Sequence, residues 1–151
     1  MTLPDFAEQP PYVERLIAYF EGLSPAGLDQ LDAYYSAQVR FKDPFNEVCG
    51  LVPLHGVYSH MYRALDRPRF VVTGAITQGQ QSFLTWDFEF HFKRFDTTRL
   101  QTVRGASHLV FTPDGLIELH RDYWDAAEEL YEKLPVVGAA MRWLRQRAGR
   151  S

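Results

Sequence analysis

Apolar side chains recur at Val13, Leu16, Ile17 and Phe20, the i, i+3, i+4, i+7 spacing of one helical face. Gly22 and Ser24-Pro25 end that helix. Leu28, Leu31 and Tyr35 mark one face of a second short helix. The period then changes. Val39, Phe41 and Asp43 alternate with Arg40 and Lys42, which predicts a half-buried strand stopped by Pro44, a residue with no N–H for a ladder. A loop from Phe45 to Pro53 leads to a third helix over about His55 to Leu65, ended by Pro68.

Beyond Arg69 the chain reads as strand. Strands are expected near Arg69–Thr77, Phe83–Arg94, Leu100–Thr112 and Ile117–Trp124, with turns at Thr77-Gln78-Gly79 and Pro113-Asp114-Gly115. Short connections make the four an antiparallel meander. Asp125 caps a last helix, with Glu128 three positions on and Leu130 and Leu134 along one side. Pro135 interrupts it, and Val137, Met141 and Leu144 continue in a second segment.

Segregated helices and antiparallel strands define an α+β fold. The expected shape is a cone: a strongly curved antiparallel sheet, N-terminal helices packed over its concave face, and a C-terminal helix. The open end of such a cone is a natural pocket. The chain divides into a flexible N-terminal segment (1–11), the cone domain (12–134) and an amphipathic basic C-terminal helical tail (135–151).

Composition narrows the function classes. The chain has 151 residues, the size of one domain, and 46% hydrophobic residues, enough for a sizeable core. The net charge of −3 offers no general attraction to nucleic acid. Cys49 is the single cysteine, which excludes an internal disulfide and a thiolate metal cluster and suits a reducing cytoplasm. His55 and His60 are spaced poorly for two ligands on one helical face, no HExxH string occurs, and no glycine-rich phosphate loop or nucleophile elbow appears. No metal and no cofactor are expected.

The order of elements and two strings resemble the nuclear transport factor 2-like superfamily, its SnoaL-like branch in particular, over about Tyr12 to Trp124. Phe41-Lys42-Asp43-Pro44 is similar to the segment holding the Asp-Pro general base of ketosteroid isomerase. His120-Arg121-Asp122-Tyr123-Trp124-Asp125 is similar to a string of limonene epoxide hydrolase, whose first aspartate helps activate water and matches Asp122. Neither constellation is complete. Leu16 and Ser107 stand where the isomerase has its oxyanion donors, and Phe41 and Asp43 stand where the hydrolase has a tyrosine and an asparagine. The resemblance also implies homodimerisation through the convex face of the sheet.

Strand alternation places Asp43, Ser107, His120 and Asp122 on one concave surface. In an aromatic cavity two carboxyls can divide into a base and an acid, and a histidine can pass a proton between them. Asp43, Asp122 and His120 are therefore the candidate catalytic residues, with Phe41, Asn46, His60, Trp86, Ser107 and Trp124 around the ligand. The alternative for Asp43 is a structural one, accepting backbone N–H groups of the following loop. Leu84, Trp86, Phe88, Phe90 and Phe92 form the core stripe of their strand, and Asp87, Glu89 and His91 face away.

The reading that follows is a protein binding a small, largely apolar molecule, acting as a cofactor-independent isomerase, cyclase or hydrolase through Asp43 and Asp122. The alternative is a non-catalytic ligand-binding or dimeric assembly module, with the arginine-rich C-terminal tail touching a membrane surface.

Overall fold

The computed structural model describes residues 8–131 and 135–149. Helix α1 spans Pro11–Glu21 and buries Val13, Leu16 and Phe20. Pro11 starts it at a position whose N–H would have no helical partner. Just before it, Gln9 is tied down: it donates to the Ala75 carbonyl at 3.3 Å and accepts from the Thr77 hydroxyl at 2.7 Å. The second helix is a 3-10 segment, Ala26–Ala33, burying Leu28 and Leu31. Its three-residue period carries Tyr34 onto that face, stacked on Tyr19 with ring centroids 3.9 Å apart. Tyr35, expected on the helix, instead opens strand β1, Tyr35–Lys42.

A short strand β2, Glu47–Cys49, folds back on β1 where only a loop was expected. Helix α2 then runs Leu51–Ala64, starting earlier than predicted, because Pro53 falls in the first turn, where a missing N–H does no harm. It buries Leu54 and Tyr58. Strands β3 (Leu65–Gln78), β4 (Gln81–Phe92), β5 (Gln101–Phe111) and β6 (Ile117–Tyr123) form the antiparallel meander.

The six strands make one curved, unclosed sheet in the order β2-β1-β6-β5-β4-β3. One pairing differs in direction: β1 lies parallel to β6, with Phe41 opposite His120. The fold is thus the α+β cone, its edge strand β3 curled by register slips near Asp66/Arg69 and Val72/Gly74. Leu84, Trp86 and Phe90 turn inward from β4 and are buried under α1 and α2, in one cluster with Val39, Phe41, Leu109 and Phe111.

After β6 the Asp125 carboxylate caps α3, Ala126–Glu129, accepting from Ala127 N–H at 3.0 Å and Glu128 N–H at 3.1 Å. Glu129 folds back to accept from Arg104 on β5 at 3.0 Å. Helix α4 spans Pro135–Ala148 and leaves Val137, Trp143 and Leu144 exposed. Leu134 lies outside the described residues. Among the described residues, no helix is long and apolar enough to cross a membrane.

Candidate functional site

Below α1 and α2, on the concave face, β5 and β6 bring Ser107 opposite Asp122. Ser107 donates to Asp122 Oδ1 at 2.5 Å, and His120 Nε2 meets the same oxygen at 2.7 Å. No donor among the described residues reaches the other oxygen, Oδ2. Ser107 is itself held by Trp86, whose indole N–H donates to its Oγ at 2.9 Å. The glycine at 105 makes this possible. The Trp86 ring lies flat over it, and an added Cβ would stand 2.3 Å from Trp86 Cη2.

His120 is buried at 3% exposure, and each of its ring nitrogens has a partner. Nδ1 meets the Tyr35 hydroxyl at 2.8 Å, and Tyr35 in turn meets the Tyr58 hydroxyl of α2 at 2.9 Å. The imidazole stacks parallel to Tyr35 and is flanked by Phe41 and Phe20, at centroid distances of 5.9, 5.0 and 5.7 Å. Burial pushes the phenols of Tyr35 and Tyr58 well above their ordinary range, with nearby tyrosines and Asp122 adding to it. Both therefore remain neutral donors. The result is one hydrogen-bonded chain, Trp86–Ser107–Asp122–His120–Tyr35–Tyr58, set among aromatic rings.

That chain borders a narrow cavity lined by Phe20, Tyr58, Phe70, Val72, Trp86, Ser107, His120 and Asp122. Its volume is about 20 Å³, room for one water. A second, shallow groove lies outside it along Lys42, Asp43, Pro44 and Arg121 to Asp125. Asp122 lines both.

The expected residues divide accordingly. Asp122, His120, Ser107 and Trp86 come together. Asp43 does not join them in the cavity, because β1 ends at Lys42 and the next residue turns into the loop. Its Oδ1 accepts the N–H groups of Phe45 and Asn46 at 2.7 and 2.6 Å, and the Asn46 amide donates to both carboxyl oxygens. Asp43 and Asn46 thus hold a turn. Phe41 packs behind His120, away from the cavity. His60 is exposed on α2. Trp124 lines the outer groove against Phe45, 5.4 Å between centroids. Tyr35, Tyr58, Phe20 and Phe70 complete the site and were not among the sequence candidates. The signal for Tyr58 was its place one helical turn after Leu54, which buries a hydroxyl in need of a partner. Among the described residues no cluster of histidine, cysteine or carboxylate could hold a metal ion.

A family model described as a SnoaL-like domain matches residues 16–120. Solved structures agree on the fold. A hypothetical protein with a ketosteroid isomerase-like fold from Catenulispora acidiphila, in complex with trimethylamine, superposes with a TM-score of 0.67 at 19% identity, covering 82% of this chain and 92% of its own. A candidate SnoaL-like polyketide cyclase from Jannaschia gives a TM-score of 0.68 at 14% identity, over 81% of this chain and 93% of its own. An NTF2-like protein of unknown function from Burkholderia pseudomallei gives 0.69 at 15% identity, over 80% and 95%. No curated protein matches by sequence.

Proposed function

The chain belongs to the SnoaL-like domain family, and from that premise we propose that it is a cofactor-independent enzyme that moves a proton within a small, largely apolar molecule bearing a carbonyl or epoxide. The observation that carries this reading is the Asp122 carboxyl. One oxygen is held by Ser107 and His120, the other has no donor among the described residues, and the residue lines a cavity shared with Phe20, Tyr58, Phe70, Val72 and Trp86.

Such a carboxyl has the properties of a general base. It is oriented before the substrate arrives, so little reorganisation accompanies the reaction. Its residue lines a cavity bounded by the rings of Phe20, Tyr58, Phe70 and Trp86. His120 Nε2 lies 2.7 Å from the same carboxyl and keeps it in place. A substrate enters by parting Phe20 of α1 from Phe70 and Val72 of the edge strand β3. That strand has a neighbour on one side only.

The test is turnover of a panel of small cyclic ketones, enones and epoxides by the wild type and by Asp122→Asn. The replacement keeps the size of the side chain and removes the base. The expected result is loss of turnover with an unchanged circular dichroism spectrum; equal turnover by the two proteins would end this reading.

A second reading rests on the cavity volume of about 20 Å³, far below the roughly 300 Å³ at which small-molecule pockets begin. It favours a non-catalytic module. Its partner would be a second copy, docked on the outer face of the sheet where Ile76 and Phe83 stand opposite each other at 72% and 51% exposure. A dimeric mass in solution, with no turnover of any panel compound, would support it.

A further inference from the structure

Strand β6 turns His120 and Asp122 toward the cavity, so Arg121 and Tyr123 face out on the other side of the sheet. Cross-strand pairing then sets cations side by side. Arg121 lies opposite Lys42 of β1 on one side and opposite His108 of β5 on the other. Arg40 stands two residues before Lys42, on the same face of β1. With Tyr123, Leu119 and Glu47 these side chains line a groove of about 410 Å³. Small-molecule sites run from roughly 300 to 1,000 Å³. His108 walls one end: its ring stacks on Phe83, 4.5 Å between centroids, and its Nε2 is taken by Gln81 at 2.9 Å.

The fold does not balance the charges in this groove. Like charges directly opposite each other on paired strands destabilise a sheet, yet Lys42 and Arg121 are so placed. Lys42 has an acid partner at the end of the row, Glu47 of β2, 3.5 Å away and 76% exposed. An ion pair that open to water is worth about 0–1 kcal/mol, so the carboxylate leaves it at little cost. Among the described residues no acid pairs with Arg40 or Arg121. The Arg121 guanidinium lies instead over the Tyr123 ring, 4.7 Å from its centroid. Stacking of this kind orients the planar group and keeps its N–H fork for a ligand.

We propose that this groove binds a phosphate monoester of a small organic molecule, with Arg40, Lys42 and Arg121 on the phosphate and Tyr123 and Leu119 against the organic part. A phosphate monoester carries about −1.5 to −2 charges at neutral pH and three acceptor oxygens. That matches three cationic heads on two strands about 4.8 Å apart. Arginine forks also fit phosphate oxygens two at a time. A carboxylate brings one charge and two oxygens and leaves cations uncompensated. The exposed Tyr123 and the half-buried Leu119 give the rest of the ligand an apolar floor. The site stands apart from the proton-transfer reading: it lies on the opposite face of the sheet, and its occupancy is measured without turnover.

The experiment is titration of the isotope-labelled full chain with phenyl phosphate, followed by amide chemical shifts, with inorganic phosphate and benzoate compared at one ionic strength. Phenyl phosphate should shift the amides of Lys42, Arg121 and Tyr123 saturably. Inorganic phosphate, which lacks the ring, and benzoate, which lacks the second charge, should each bind about tenfold more weakly. Arg121→Gln and Arg40→Gln should each raise the Kd for phenyl phosphate about tenfold or more, the scale of losing a hydrogen bond to a charged group. Glu47→Gln should lower it about two- to fivefold, because the competing carboxylate is gone. Arg99→Gln, which removes a cation outside the groove that is paired with Asp96, should leave it unchanged. No saturable shift up to about 10 mM, shifts confined to other amides, or an equal loss in Arg99→Gln overturns the proposal. A groove covered by a second copy gives the first of these results, and the mass in solution identifies it. Equal affinity for inorganic and phenyl phosphate overturns the assignment of an ester.

Discussion

A methyl group at position 105 probes how the site is held together. The Cβ of Gly105→Ala would stand 2.3, 2.6 and 2.7 Å from three carbons of the Trp86 ring. Carbon atoms settle at about 3.5–4.0 Å, so the ring must retreat by roughly 1 Å. Its indole nitrogen, now 2.9 Å from Ser107 Oγ, is drawn out of hydrogen-bonding range. Overpacking costs about 1–3 kcal/mol, and a buried donor left without its acceptor costs about 1–3 kcal/mol more. For a domain of this size the sum corresponds to a fall in Tm on the order of 10 °C. Thermal unfolding followed by far-UV circular dichroism measures it. The same substitution made together with Trp86→Phe should cost less than half as much, because the shorter ring leaves room for the methyl group. If Gly105→Ala melts within about 2 °C of wild type, or costs the same in both backgrounds, the close approach of ring and backbone does not organise this site.

Two further outcomes follow from the buried phenols and from the Asp43 turn. The unfolded chain releases its phenol protons near pH 10, whereas the folded protein retains those of Tyr35 and Tyr58 far above that value and those of Tyr19 and Tyr62 to about 12. The stability they confer is thus complete below pH 10 and is lost as the pH rises toward the folded values, by on the order of 1 kcal/mol per pH unit for each of the two fully buried phenols. Urea unfolding at several alkaline pH values should show this slope, and Tyr58→Phe should flatten it; a slope indifferent to that substitution contradicts the burial argument. Asp43→Ala removes the acceptor of two backbone N–H groups and should lower stability by about 1–3 kcal/mol while leaving turnover within about twofold. A folded Asp43→Ala protein that had lost turnover would return Asp43 to the chemistry.

Much of the fold could be read in the chain because its signals are local. The four strands of the meander and their turns follow from period-two alternation and from residues suited to tight turns, with Gly115 at a φ of 80° as its turn needs. The cap at Asp125 is where three-residue spacing put it. The misplacements come from competing local rules. A 3-10 period replaced an α period at Tyr35, and a proline was tolerated inside the first turn of α2. Of the site, Ser107, His120 and Asp122 were legible because alternation alone assigns their face. Asp43 shared that alternation, but a strand face has no meaning past the last paired residue, and the chain turns there. Tyr35 and Tyr58 were illegible for a different reason. Their role is set by how far α2 sits above β1, and no local pattern encodes that distance.

The parallel seam between β1 and β6 has a consequence for the order of events during folding. Tyr35 and His120 are 85 residues apart in the chain, yet they meet directly across it. β6 pairs readily with β5 through a short turn, whereas β1 must wait for nearly the whole chain before its partner exists. Such distant pairings are entropically late and slow. During synthesis, the hairpins of the meander can form while the Asp122–His120 pair still lacks its tyrosines. The hydrogen-bonded chain is then completed by the last closure, and a destabilised β1 should yield a protein with most of its sheet and an incomplete chain.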